Sequence, residues 1–395
     1  MSKRKRLKIA IASIILLFML MSLCACWDSM ELNEMFIVTA IGLDTADDPD
    51  KVALTFQIAN IKQTNQETDK GQNKQEKVIV IKRQNATISE AIDKINRDSE
   101  RLLVLNHLQA VVIGEELAQK GIRKHLDLFV RDMETRLETP IIIVKGKAED
   151  LLTAQLAQED NSGIFMRGMF EALAKTSGKY RERLTDLLSY LLDKTCEATI
   201  PYIEIQGEAD KQEVKLKGMA VFKDDKVVGL LDMEQTEGFI WAMGKVKADS
   251  LKAISEKGIA LFNIHNLKSK TEIGLKADQK VQVSIKIETK AIVNELKGFE
   301  GMEPKPLMKY LKAIAEQQLR SQIINCFEAA SELDSDIFGF GTALQQTDKK
   351  GFRTVEADWE SVFRNIELTI EPKVNIESTG LILLPIKIGE GDEIG

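Results

Sequence analysis

The chain has 395 residues, 44% hydrophobic and 6% aromatic, which is the balance of an ordinary globular protein and excludes a disordered or fibrous one. A net charge of −7 argues against nucleic acid as a partner, since phosphate-binding proteins carry an excess of cations. Four cysteines in this length exclude a disulfide framework.

Lys3, Arg4, Lys5, Arg6 and Lys8 precede an uncharged apolar run at 9–23, the pattern of a secretory signal peptide. As a helix this run rises about 22 Å, short of the ~30 Å hydrocarbon core, so cleavage is expected rather than permanent spanning. Leu23-Cys24-Ala25-Cys26 sets a small residue before a cysteine, as in a lipoprotein box. Cleavage after Ala25 would free Cys26 to carry a covalent diacylglyceryl and N-acyl lipid, the only modification expected. Cys24 is the poorer site because bulky Leu23 precedes it, and a disulfide between Cys24 and Cys26 would be strained. Two or more acyl chains give durable attachment where one is marginal. The mature chain keeps 370 residues, and its net charge falls to −12 because five cations and no acid leave with residues 1–25. Contact with a bilayer is therefore expected from the lipid and not from a basic patch.

Beyond the lipobox, strands are expected at 36–43 and 52–61, a polar loop at 62–75 and a short strand at 78–81. Ile88, Ala91, Ile92, Ile95, Leu102 and Leu103 fall at helical spacing, with Thr87 and Glu90 placed as a capping box. A strand at 108–113, helices at 115–119 and 122–133 and a strand at 140–144 follow. Residues 148–194 read as wholly helical and 200–206 as a strand. This alternation predicts an N-terminal mixed α/β domain over 26–206, divisible into two sub-domains. The polar stretch 207–212 marks a boundary. After it come a hairpin (214–222 and 227–231, turning at Asp224-Asp225), a helix at 234–246 and alternating strands at 262–273 and 281–293. A helix from Pro304 to about Glu332 carries one apolar stripe, and strands at 365–376 and 381–388 close the chain. The class is α+β: a C-terminal domain over 214–395 with a long helix packed on a mainly antiparallel sheet, and no common superfold. Cys326 lies on the helix stripe and reads as a small buried hydrophobe, while a disulfide to Cys196 stays open.

Chemistry-bearing patterns are sparse. His107, His125 and His265 show no two-histidine metal spacing, and no CxxC, phosphate loop or GxSxG occurs. Phe338-Gly339-Phe340-Gly341 reads as a turn with two buried rings, and His107 as a satisfied structural histidine starting a strand. No catalytic or metal-binding residue is expected. Trp27 and Asp28, directly after the lipidated position, form too short and too aromatic a tether for a freely diffusing domain. They point to contact with a membrane partner.

Cys26-Trp27-Asp28, then Glu31-Leu32-Asn33 and the strand IVTAIGLD at 37–44, resembles the start of the Ger(x)C spore germination lipoproteins, the C subunits of nutrient germinant receptors. The segment HLQAVVIGEELAQKG at 107–121, with Arg131, Asp132 and Arg136, is similar to the family's strand–helix–helix block. KGMAVF at 217–222, followed by Asp225, Gly229, Gly238 and Trp241, is similar to its central hairpin, and Asp336-Ile337-Phe338-Gly339 with Trp359 to its C-terminal block. Thr379 departs from the pattern, which carries a basic residue before Gly380. The resemblance implies several mixed α/β domains and a non-enzymatic subunit assembled with two polytopic membrane subunits. Its place would be the outer face of the spore inner membrane, with Trp27, Asp28, Glu31 and Asn33 as the membrane-proximal or partner contacts. The competing expectation is an exported solute-binding lipoprotein; an envelope hydrolase is a distant third.

Overall fold

The computed structural model describes residues 34–60, 78–131, 136–176, 182–193, 195–208, 211–244 and 246–378, with 4–5 and 11–13 of the leading segment. Cys26, Trp27, Asp28, Glu31 and Asn33, and the strand expected at 381–388, lie outside the described residues.

β1 (Met35–Thr45) pairs antiparallel with β2 (Val52–Ala59), and β3 (Val78–Asn85) extends the sheet on the far side of β2. α1 (Ile88–Asp98) opens on half of the expected box: the Glu90 N–H donates to Thr87 Oγ1 at 3.1 Å, but Glu90 Oε2 accepts the N–H of Ala86, also at 3.1 Å, instead of that of Thr87. The helix stops before Leu102 and Leu103, which the periodicity assigned to it. They form β4 (Leu102–Val104), parallel to the start of β1. The Leu103 N–H donates to Asn96 Oδ1 at 2.8 Å, a side-chain bond that replaces continued helical pairing. β5 (Ala110–Gly114) and α2 (Glu115–Lys120) follow. The helix expected at 122–133 is a 3-10 turn at Arg123–His125 and then α3 (Asp127–Arg131). His107 is exposed in the turn before β5, not buried within a strand.

After β6 (Ile141–Val144), the block expected to be one helical run is three helices: α4 (Ala148–Thr153), α5 (Ser162–Thr176) and α6 (Leu184–Leu192). Asn161 makes the first break, since its Oδ1 accepts the Ile164 N–H at 3.0 Å and so caps α5. β7 (Thr199–Gln206), β8 (Glu213–Lys223) and β9 (Lys226–Leu231) complete the sheet, and the β7–β8 ladder carries it across 207–212. The strand order is β3-β2-β1-β5-β6-β7-β8-β9, with β4 also on β1. Because β1, β5, β6 and β7 run parallel, all four begin at one end of the sheet. Alternate side chains feed two cores: Ile41, Val111 and Ile143 point to one, and Ala40, Val112 and Ile142 to the other. The second core continues into the C-terminal half, through Trp241, Phe262 and Ile323.

That half holds α7 (Met233–Ala242), β10 (Ala248–Ser255), β11 (Gly258–Leu275), β12 (Val281–Gly298), α8 (Pro304–Glu332), α9 (Phe340–Thr347), α10 (Lys349–Val355), α11 (Trp359–Arg364) and β13 (Glu367–Ser378). Its sheet runs β10-β11-β12-β13, antiparallel except for the last pair. The long helix α8 has the expected bounds and buries the expected stripe, Cys326 included. Neither Cys196 nor Cys326 is in a disulfide. β10 and the three helices α9–α11 go beyond the sequence reading. The outer edge of β13 is closed by α8: Arg320 Nε donates to the Ile370 carbonyl at 3.2 Å and the Val374 N–H to Glu316 Oε1 at 3.0 Å. Pro372, between them on the same edge, has no N–H to offer, so further strand addition there is blocked.

Candidate functional site

β1, the first strand among the described residues, is locked into the fold by buried polar groups. Thr39 Oγ1 donates to the Gln57 carbonyl at 3.1 Å, and Asn161 Nδ2 donates to Thr39 Oγ1 at 3.0 Å. Gln57 Nε2 reaches the Leu152 carbonyl at 2.9 Å while its Oε1 accepts the Gly163 N–H at 3.0 Å. Four elements, β1, β2, α4 and α5, are thus tied together in a low-dielectric setting where an unpaired member would be costly. At the far end of β1, buried Asp44 caps α4, accepting the Ala148 N–H at 2.7 Å and the Glu149 N–H at 2.9 Å. Burial raises its pKa, and those two N–H groups partly offset the rise. Any load arriving on β1 therefore reaches both helices.

The hairpin residues singled out in the sequence are fold determinants. Gly218 has φ +134°, and a Cβ there would overlap the backbone of Leu231. Gly229 leaves room for Leu333 at the end of α8. Lys217 pairs with Glu204 at 3.3 Å, and Lys145 pairs with the same carboxylate at 2.6 Å. Asp225, at the hairpin tip, docks on the turn after α2: its carbonyl accepts the Ile122 N–H and its Oδ2 the Arg123 N–H, both at 3.0 Å. Gly121, at φ +118°, borders the same contact: a Cβ there would lie 2.9 Å from Asp225 Oδ2. Asp225→Ala is expected to lower unfolding free energy by about 1 kcal/mol, the usual cost of losing a backbone-capping carboxylate. Urea denaturation checks it. Arg131 pairs with Asp127 at 2.9 Å, one turn earlier on its own helix, so it is not a free cation.

Trp241 and Gly238 mark where α7 crosses α8. Trp241 Nε1 donates to Gln322 Oε1 at 3.0 Å, and Gln322 Nε2 donates to Glu237 Oε2 at 3.0 Å. The Phe338 and Phe340 rings are buried and stacked, 5.1 Å apart and 9° from parallel, with Gly339 between them at φ +68°. The turn with two buried rings is as expected.

Asp336 ends this segment inside the protein, accepting the Phe340 N–H at 3.0 Å, the Gly341 N–H at 2.8 Å and Trp359 Nε1 at 3.1 Å. It borders a cleft of about 400 Å³ between the two halves, lined also by Glu197, Asp224, Asp334, Glu356 and Asp358. Burial pushes Asp336 up to about 6 and Glu197 up to about 7. Sequence reasoning missed this gathering because Glu197 and Asp336 are distant in the chain. No group of three His, Cys, Asp or Glu suited to a metal ion occurs among the described residues.

These shifts fix a sign. A carboxyl whose folded pKa is raised stabilises the fold fully below its unfolded pKa and loses that contribution as pH rises through the folded value. For Glu197 the window runs from 4.5 to about 7. Buried His125, held down to about 4 by desolvation, acts in the opposite direction between about 4 and 6.5. The variant-minus-wild-type difference removes that second effect. Glu197→Gln is therefore expected to gain melting temperature relative to wild type as pH rises from 4.5 to 7. A flat difference across a pH series of thermal melts would refute the assignment.

Comparison with known proteins fits this architecture. The family described as "Spore germination protein N-terminal domain" matches residues 28–205, and "Spore germination B3/GerAC like, C-terminal" matches residues 217–380. Among curated relatives, putative spore germination protein YfkR of Bacillus subtilis (strain 168) is 23% identical, over 91% of this chain and 94% of its own length. Spore germination protein KC of the same organism is 25% identical, over 95% and 97%. The crystal structure of the GerBC protein superposes with a TM-score of 0.57 at 18% identity, covering 89% of this chain and all of that one, a likeness of fold. Together the two family matches span nearly the whole chain from just after Cys26, and this protein belongs to the Ger(x)C, or GerAC-like, family of spore germination proteins.

Proposed function

We propose that this protein is a lipid-anchored, non-catalytic subunit of a spore nutrient germinant receptor, needed for the complex to assemble and to signal. The observation that carries the reading is the placement of the first family match, which begins two residues after Cys26 of the lipobox. Export and cleavage after Ala25 leave Cys26 acylated on the outer face of the spore inner membrane. The partners are two polytopic membrane subunits, met in part through Trp27, Asp28, Glu31 and Asn33. The rigid seating of β1 in its buried network supports this role, since it lets a short tether hold the whole domain in register with membrane neighbours. Among the described residues no helix is long and apolar enough to cross a membrane. The acyl chains on Cys26 are the attachment in this reading.

The test is purification of C-terminally tagged protein from spore membranes in mild detergent. Two polytopic proteins are expected to copurify and to be lost when Trp27 and Asp28 are both replaced by Ala. Cys26→Ala is expected to move the protein to the soluble fraction and to cripple the response to nutrients in a strain lacking parallel receptors. A normal response from unlipidated protein would overturn the anchoring part. A lipidated protein without membrane partners would overturn the subunit part.

A further inference from the structure

The C-terminal half meets the large sheet along two seams of opposite character. One is apolar, where Trp241 of α7 and Ile323 of α8 share a core with Met219 of β8. The other is polar and encloses the cleft of about 400 Å³. On one side of it lie the segment before β7 and the tip of the β8–β9 hairpin; on the other lie the loop after α8 and the turn Glu356–Asp358 before α11. Polar bonds close its rim. The Thr195 and Thr342 hydroxyls are 2.8 Å apart, Thr342 Oγ1 donates to Asp193 Oδ2 at 3.2 Å, and Lys223 pairs with Glu360 at 2.9 Å. Glu197 joins three segments here: its N–H donates to the Asp336 carbonyl at 3.0 Å, and its Oε2 accepts the Asp224 N–H at 2.9 Å. Its carboxyl is faced by Asp224 and Lys223 from the hairpin and by Asp336 from the loop after α8. Lys223 is already held by Glu360, and Arg364 of α11 by Asp334 at 2.6 Å. Lys194, beside Thr195 in the chain, lies outside the described residues. Counting it still leaves seven carboxylates at the cleft, Glu356 and Asp358 among them, to three cations.

We infer that the polar seam is a proton-controlled latch: with Glu197 protonated it clamps the hairpin tip to the loop after α8, and loss of that proton opens the cleft to water while the apolar seam keeps the halves together. A carboxyl enclosed among like charges ionises at a cost that water entering the cleft relieves. The proton is thus a ligand that favours the closed arrangement, and rising pH shifts the population toward the open one. Burial pushes Glu197 up to about 7 and Asp336 up to about 6, which sets the response in the neutral range. Buried His125 is not among the cleft residues and takes no part. The inference goes beyond membrane attachment and partner contact and depends on neither.

Two tryptophans report the two seams. Trp359 lines the cleft, and Trp241 in the apolar seam is fully buried. The experiment uses the full-length chain with Trp27→Phe in mild detergent, and follows acrylamide quenching of tryptophan fluorescence through a pH series. The expected result is a quenching constant for the accessible fraction that rises severalfold from about pH 5 to about 7 and then levels off, with a resistant fraction from Trp241 at every pH. Glu197→Gln is expected to lose most of that rise. Asp224→Asn removes a like charge facing Glu197, and asparagine accepts the left-handed φ of +56° at this position. That variant is expected to reach the plateau at lower pH, a displacement that a merely structural role would not produce. A quenching constant that stays flat across the series overturns the latch, as does a full rise in Glu197→Gln. Should Glu197→Gln fail to fold, Asp224→Asn decides alone, and an unmoved plateau overturns the assignment to Glu197. Loss of the resistant fraction over the same range means that the halves part as a whole, which overturns a latch confined to the polar seam.

Discussion

Gly238→Ala is expected to destabilise the protein by about 3 kcal/mol or more, against the ordinary rule for this substitution. In a free helix, alanine is about 1 kcal/mol better than glycine. Here an added Cβ would lie 2.5 Å from the Gln322 carbonyl carbon and closer still to its oxygen. Those are backbone atoms inside the long helix α8, so no side-chain rotation relieves the overlap. The helices must separate, and separation pulls Trp241 Nε1 from Gln322 Oε1 in a fully buried site. Overpacking costs of about 1–3 kcal/mol and the loss of a buried hydrogen bond then add. Gly168→Ala, at an exposed position of α5, is the internal control, because a Cβ there meets nothing within 4 Å. That variant is expected to gain up to about 1 kcal/mol from helix propensity alone. Denaturant titrations of both variants decide the matter: two changes of the same sign would mean that the α7–α8 crossing does not depend on the glycine.

The same pair of glycines shows where a sequence is informative about structure and where it is not. Strand alternation in β11 and β12, the N-cap at Thr87 and the stripe of α8 are local patterns, and all three were legible. Elements of short period were lost when a single side chain overruled periodicity: Asn96 turns Leu103 into a strand residue, and Asn161 cuts the expected helical block. α9–α11 were missed because helices of 8, 7 and 6 residues are too short to repeat a stripe, although Phe340, Leu344, Phe352 and Phe363 all join the main core. In the candidate site, Gly238 and Trp241 were visible as a motif, but their joint reason, Gln322, lies in the next helix but for three strands.

Asp336→Ala is expected to cost about 3–5 kcal/mol, because it leaves the N–H groups of Phe340 and Gly341 and the indole of Trp359 without their common acceptor in a buried place. Asp336→Asn is expected to fall between Ala and wild type. It removes the buried charge whose desolvation holds this carboxyl up near 6, yet its amide must turn an N–H2 toward at least one of three donors. The loss will not stay local. The Asp336 carbonyl accepts the Glu197 N–H at 3.0 Å, and neighbouring Ser335 Oγ donates to the Phe222 carbonyl at 2.6 Å, so this loop joins the C-terminal half to the large sheet. Phe338 and Phe340 on its other side pack against Phe327 of α8. Hydrogen exchange on the Asp336→Ala variant is therefore expected to accelerate first in α9, α11 and the end of α8, while β1, β5 and β6 stay protected. Uniform acceleration through both halves would mean that they unfold as one unit. Selective acceleration would mark the Asp336 loop as the joint that couples the C-terminal half to the large sheet.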